Sequence, residues 1–139
     1  MSSAMAVNPR VVLDTNVIIS AIGYGGKPAK VFLLALEEKI QGVTSEILLA
    51  EVQEILTKKL SLSPGDLELT MAEIEDKFEV VAPRKTLHIL RDEDDNRVLE
   101  AAVEGNCDFI ITGDKDLLDL GKYKKIKILT AEEFLEIYR

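Results

Sequence analysis

The sequence predicts an α/β fold, a three-layer α/β/α sandwich with a central, mostly parallel sheet of about five strands. Short apolar runs of strand length alternate with longer segments of helical periodicity. No repeat, low-complexity tract or linker divides this alternation. Alternating strands and helices are typical of a parallel sheet covered by helices. The 139 residues, 47% of them apolar, suit one domain with an aliphatic core.

Five segments have the composition of strands. Each is short, rich in β-branched or aromatic residues, and bounded by polar or turn-forming residues. The predicted strands are RVVLD at 10–14, GVTS at 42–45, KFEVV at 77–81, DFIIT at 108–112 and KIKIL at 125–129. The last strand alternates lysine with isoleucine, which is typical of lysines that protect an exposed sheet edge; an RNA-binding track is the alternative.

Five segments between and after these strands have helical signals. Pro28 suits the first turn of a helix, and apolar residues recur at helical spacing from Ile47 to Leu60. The predicted helices are 28–39, 45–60, 64–77, 94–106 and 131–139. In the second helix, we expect Ile47 to belong to the buried stripe.

Composition limits where the protein works and what it contacts. Residues 1–9 are predicted to be a flexible extension, and 10–139 a single domain. The chain shows no signal-peptide pattern or membrane-spanning run, so we expect a cytoplasmic protein with no membrane partner. The single cysteine, Cys107, lies among strand residues and is predicted to be buried. A net charge of −8 counts against a nucleic-acid binder held by phosphate contacts alone.

Two predicted strands end at carboxylates. Asp14 ends the first strand, and Asp114 and Asp116 follow DFIIT. Ligands of open parallel sheets bind beyond the carboxyl ends of strands, so these acids are functional candidates. Each could instead cap a turn or a helix.

Two helical acids strengthen this interpretation. Glu51 lies three and four residues from apolar positions, so its carboxylate faces inward; an ion pair with a lysine or arginine is the alternative. Asp95 lies at the start of a core-facing stripe, where capping is the alternative. Such carboxylates would raise one another's pKa unless a hard cation held them, and oxygen-only ligands suit Mg²⁺ or Mn²⁺. The only histidine, His88, has no cysteine or histidine neighbour for a zinc site.

Four motifs in order carry a family resemblance: VVLDTNVIIS, Glu51 in the helix after VTSE, DEDDNRVLEAA and CDFIITGDKDLL. Together they resemble the PIN-domain family, in particular the single-domain, VapC-like ribonuclease toxins of toxin–antitoxin pairs. The resemblance covers the chain from Val11 onward. It implies a PIN-like nuclease domain, cofactor Mg²⁺ or Mn²⁺, RNA as substrate, a cognate antitoxin and a homodimer.

The resemblance also implies roles for individual residues. Asp14, Glu51, Asp95 and Asp114 match the four family acids, which would be both catalytic and metal-binding, and Asp116 matches a frequent accessory ligand. Thr15, Asn16 and Thr112 match supporting polar residues. Glu93 stands where close members often have proline, which makes Asp92 and Asp94 rivals of Asp95; helix phase favours Asp95.

Two other functions stay open. The chain could be a catalytically inactive PIN-fold module that binds nucleic acid or protein, although all four acids are present. It could also be a small-molecule phosphatase of the haloacid-dehalogenase type. That chemistry requires a second aspartate where Asn16 stands.

Overall fold

A computed structural model describes residues 8–138 and has one mixed sheet. Six strands occur in the spatial order β3-β2-β1-β4-β6-β5, and every pairing except β5 with β6 is parallel. The strands are β1 Arg10–Leu13, β2 Gln41–Ser45, β3 Glu79–Val81, β4 Phe109–Ile111, β5 Lys122–Tyr123 and β6 Ile126–Leu129. The predicted α/β class and the mostly parallel sheet are therefore confirmed.

Seven helices connect or follow these strands in the described part of the chain. They are α1 Thr15–Tyr24, α2 Gly26–Leu36, α3 Glu46–Lys59, α4 Pro64–Lys77, α5 Glu93–Glu104, α6 Lys115–Leu120 and α7 Ala131–Ile137. Three of them begin at a hydroxyl cap: the side chains of Ser45, Ser63 and Thr130 accept hydrogen bonds from backbone N–H groups of the first turn.

The sheet separates two hydrophobic cores, which gives the predicted three layers. Alternate residues of β1 point to opposite faces: Val11 packs with α1 to α4 and α7, whereas Val12 packs with α5 and α6. Both valines are completely buried, so β1 lies at the centre of the fold. The buried thiol of Cys107 belongs to the second core, and burial raises its pKa to about 12.

The structure differs from the sequence prediction in four places. The apolar run after β1 forms a helix, α1, and a short helix, α6, follows Asp114. A two-residue strand, β5, adds a sixth, antiparallel member at the sheet edge. The prediction that Ile47 is buried is wrong: 55% of it is exposed, because the buried face of α3 is formed by Leu48, Leu49, Val52 and Leu56 and Ile47 lies outside it.

The chain ends lie partly outside the described residues. The predicted flexible extension at 1–9 falls mostly on residues 1–7, and the last predicted helix includes residue 139, which is also outside. Within the described part, the Asn8 amide donates to the Glu38 carbonyl, and the Pro9 carbonyl accepts from the Gln41 amide. Residues 8 and 9 are thus bonded to the domain.

No single helix among residues 8–138 is long and apolar enough to cross a membrane. The helices α1 and α2, bent by 106° at their junction, pass that test of length and composition only as a pair. Both contribute buried residues to the first core.

Close packing of β2 against Phe78 gives a stability prediction. A Cβ atom at Gly42 would lie 2.6 Å from two carbons of the buried Phe78 ring. We expect Gly42→Ala to lower the free energy of unfolding by about 1–3 kcal/mol in urea denaturation, because the ring must move in a filled core. Gly65→Ala is the control: its Cβ meets open space in α4, so stability should hold or rise slightly. Equal losses in both variants would contradict this account.

Candidate active site

The acids after β1 and β4 meet where the chain reverses direction across the sheet. From β1 the chain runs outward through β2 to β3 and then returns to β4 on the other side of β1. Leu13 pairs with Ile111, so Asp14 and Thr112 emerge side by side at the carboxyl ends of these strands. Open parallel sheets bind ligands at such a topological switch point.

The Thr112 hydroxyl links the first acid to the loop that carries the fourth. It donates to Asp14 Oδ2 at 2.7 Å and accepts from the Asp114 amide at 2.9 Å. One buried hydroxyl, that of Thr112, is therefore bonded both to Asp14 and to the start of α6. Asp114 is also the N-cap of α6, since its Oδ2 accepts from the Leu117 amide at 3.1 Å. Asp114 therefore both caps α6 and belongs to the acidic site.

Helix α5 adds a third carboxylate at its first turn. Carboxylate oxygens of Asp95, Asp114 and Asp116 all lie within 4.8 Å of one another. Asp95 is buried, whereas Asp92 caps the helix and Asp94 is exposed. Of the three rival acids, Asp95 is the one that the structure brings to Asp114.

Glu51 approaches the site from α3 but lies outside the group of three. It is half-buried, and its Oε1 accepts a 2.7 Å hydrogen bond from the Thr15 hydroxyl. Within residues 8–138, no lysine or arginine lies within salt-bridge distance of it. The alternative of a buried ion pair therefore has no support in the described chain.

Asn16 faces outward on α1. It is exposed and lines an open groove together with Thr112 and Thr130. No hydrogen bond of its side chain is found among the described residues, so its supporting role stays a prediction. The other predicted supporting residues, Thr15 and Thr112, each donate to a carboxylate of the site.

Burial and mutual repulsion raise the pKa of two of these acids. Burial is the main cause for Asp14, opposed by the Thr112 hydrogen bond and reinforced by the charges of Glu51 and Asp114. Burial, together with the charge of Asp114 and a hydrogen bond with that carboxyl, raises the pKa of Asp95 to about 7. The site therefore disfavours its own charged form when no cation is bound.

The donor set fits a hard divalent cation. Asp95 Oδ2 is buried and has no hydrogen-bond partner among residues 8–138, which is costly for a carboxylate oxygen unless a ligand completes its shell. The neighbouring donors are all carboxylate oxygens. Such a set suits Mg²⁺ or Mn²⁺ rather than zinc, and Asp95, Asp114 and Asp116 would hold the ion.

Three polar residues of α5 were missed by the sequence analysis. Asn96, Arg97 and Glu100 form hydrogen bonds with the irregular segment before the helix, at Leu87 and at 89–90. The one sequence signal was Asn96 itself, because asparagine is unfavourable inside a helix unless its side chain has another task.

The fold and its carboxylate site define a class, an α/β domain with acids gathered at the switch point of a parallel sheet. The family model of the PIN domain matches residues 10–116, and the chain belongs to the PIN-domain family. This confirms the resemblance found in the sequence. Uncharacterized protein MJ1680 of Methanocaldococcus jannaschii is 38% identical over 150 residues, covering 98% of this chain and 96% of that protein.

Two solved structures are similar in fold. One is VapBC2 from Rickettsia felis bound to a DNA fragment from their promoter, with a TM-score of 0.59 and 16% identity over 86% of this chain and 96% of that chain. The other is PAE2754 from Pyrobaculum aerophilum, with a TM-score of 0.59 and 18% identity over 95% of this chain and 89% of that chain. At these identities the likeness supports the fold alone.

The raised pKa of Asp95 predicts a pH-dependent stability. Between its ordinary value of 3.8 and about 7, the unfolded state loses this proton while the folded carboxyl keeps it. The unfolded state then binds fewer protons, so the contribution of Asp95 to stability falls as pH rises through this window. We expect urea denaturation in EDTA to show this fall in the wild type and a flatter profile in Asp95→Asn. Parallel profiles would show that Asp95 ionises freely in the folded protein.

Proposed function

We propose that this protein is a divalent-metal-dependent endoribonuclease that hydrolyses RNA phosphodiester bonds with Mg²⁺ or Mn²⁺. The observation that carries the proposal is the buried Asp95 Oδ2, which lacks a hydrogen-bond partner in the described chain beside the carboxylates of Asp114 and Asp116. Membership of the PIN-domain family supports a nuclease role for this site.

The proposed chemistry divides the acids by their surroundings. When bound, a divalent ion lowers the pKa of a water molecule and offsets charge on the phosphate. Asp95, Asp114 and Asp116 hold that ion, and Asp14 stays fixed beside them by the Thr112 hydroxyl. We assign proton acceptance from the attacking water to Glu51, because Thr15 orients its carboxylate and no lysine or arginine of residues 8–138 pairs with it.

The proposal extends to partners and cellular setting. The Rickettsia felis structure is of a VapBC2 complex on promoter DNA. By that likeness in fold, we propose that this chain is the toxin of a toxin–antitoxin pair with a cognate antitoxin protein. Homodimerisation and a cytoplasmic location complete the proposal.

The decisive test is cleavage of RNA by the purified protein. We expect the wild type to cut single-stranded RNA in Mn²⁺ or Mg²⁺, to stop in EDTA, and to fall to background in Asp95→Asn. Hydrolysis of an aryl phosphate, measured in parallel, should stay at background. Aryl phosphate hydrolysis without RNA cleavage would favour the phosphatase alternative, and RNA binding without either activity would favour the inactive binding module.

Glu51→Gln separates a catalytic from a structural glutamate. Glutamine keeps an oxygen that can accept from Thr15 and removes a charge that repels Asp14, so stability in EDTA should hold or rise. RNA cleavage in Mn²⁺ should fall by roughly 10²- to 10⁴-fold, the usual contribution of a proton acceptor. Denaturation and cleavage are measured on the same preparation. A destabilised variant that still cuts RNA would refute the assignment.

A further inference from the structure

The segment between β3 and α5 has no helix or strand, yet buried side chains fix its backbone. We call residues 87–91 the strap. Asn96, which is completely buried, accepts from the amides of Ile89 and Leu90 at 3.0 and 2.9 Å through Oδ1. Its Nδ2 donates to the Leu90 carbonyl at 2.8 Å. One side chain thus satisfies three backbone groups of the strap.

Two further residues of α5 hold the start of the strap. Buried Glu100 accepts from the Leu87 amide at 2.8 Å, and Arg97 donates to the Leu87 carbonyl at 3.3 Å. Arg97 and Glu100 also form an ion pair at 2.8 Å. Burying polar side chains costs free energy that an apolar helix face would not cost. Their common effect is to give an irregular segment one conformation.

The outward side of the strap lies at the rim of the acidic site. Arg91 is 94% exposed on its side chain, and its Nη2 lies 4.0 Å from Asp116 Oδ2. An ion pair this exposed and this long contributes little to stability. Asp116 is also one of the three acids that fit a cation. An ion bound there would take up the charge of Asp116 and leave the Arg91 guanidinium free for another anion.

We propose that the strap is a substrate-binding wall, on which Arg91 binds a phosphate of the single-stranded RNA next to the scissile one. Asn96 is a positioning residue that acts through the strap backbone. A guanidinium matches phosphate oxygens with two parallel hydrogen bonds, and a fixed backbone lowers the entropy lost when they form. The inference rests on the proposed function and names the residue that contacts its substrate.

The test measures RNA binding rather than cleavage. A fluorescent single-stranded RNA is titrated with Glu51→Gln protein in Mg²⁺ at several salt concentrations, and its integrity is checked on a gel. Adding Arg91→Gln should weaken binding roughly tenfold, as expected for loss of a charged hydrogen bond. It should also reduce the slope of log affinity against log salt by about 0.7, the value for one phosphate contact on a single strand. Arg91→Lys should keep most of the slope.

Arg84→Gln is the matched control, because Arg84 is an exposed arginine before the strap that pairs with Glu104 at the C-terminal end of α5, the end opposite Asp95. It should leave affinity and slope unchanged. Asn96→Ala should reduce the slope as much as Arg91→Gln does, and the two changes together should reduce it no further. A merely structural Asn96 would lower the melting temperature and leave the slope intact.

Several results would overturn the inference. Equal salt slopes for Glu51→Gln protein with and without Arg91→Gln would show that Arg91 does not contact the RNA. This would hold even if the wild-type protein cuts RNA. An equal loss of affinity and slope in Arg84→Gln would show that the effect reflects the net charge of the protein and not the position of Arg91. If the parent binds no RNA and the wild type cuts none, the proposed function fails together with this inference. Because cleavage is measured separately on the wild type, the two failures are distinguishable.

Discussion

The cost of burying carboxylates next to one another is the constraint on which this structure depends. Asp14 and Asp95 are both less than a tenth exposed, and the Asp114 charge raises the pKa of each. Folding must supply donors or cations to hold such groups. The Thr112 hydroxyl satisfies one oxygen of Asp14, while Asp95 Oδ2 has no protein partner in the described chain. The fold therefore completes part of the site, and the proposed divalent ion would complete the remainder.

Sheet topology brings the acids together at the carboxyl ends of the central strands. The two strands that directly precede Asp14 and Thr112 are neighbours only because the chain crosses back over β1 after β3. Both strands are packed between two cores, so their carboxyl ends have little freedom to separate. The repulsion between the acids is thus opposed by the same apolar packing that stabilises the domain.

Helix α5 contributes both to the hydrophobic core and to the acidic site. Val98, Leu99 and their alanine neighbours pack in the second core, and Asp95 reaches the acidic site from the first turn. Its remaining inward positions, Asn96 and Glu100, are polar and bind the strap. If the protein acts on RNA as proposed, a chain with a net charge of −8 needs local means to approach that substrate. A cation held by the acids, beside Arg91 on a fixed backbone, would supply such means.

The sequence by itself determined the layer architecture and most of the site. Apolar residues repeat with different periods in strands and in helices, so the alternation of the two patterns along the chain specifies a parallel sheet covered by helices. Acids that come at the end of buried strands must then lie at the carboxyl edge of that sheet. It did not reveal α1, because the β-branched run after Asp14 also suits a strand and only packing against neighbouring helices decides. Helix phase favoured Asp95 over Asp94, and the structure buries Asp95 beside Asp114. Tertiary structure alone exposed Ile47 and joined Asn96 to the strap. These outcomes depend on contacts between segments distant in sequence or on exact helix orientation, and local patterns do not encode them.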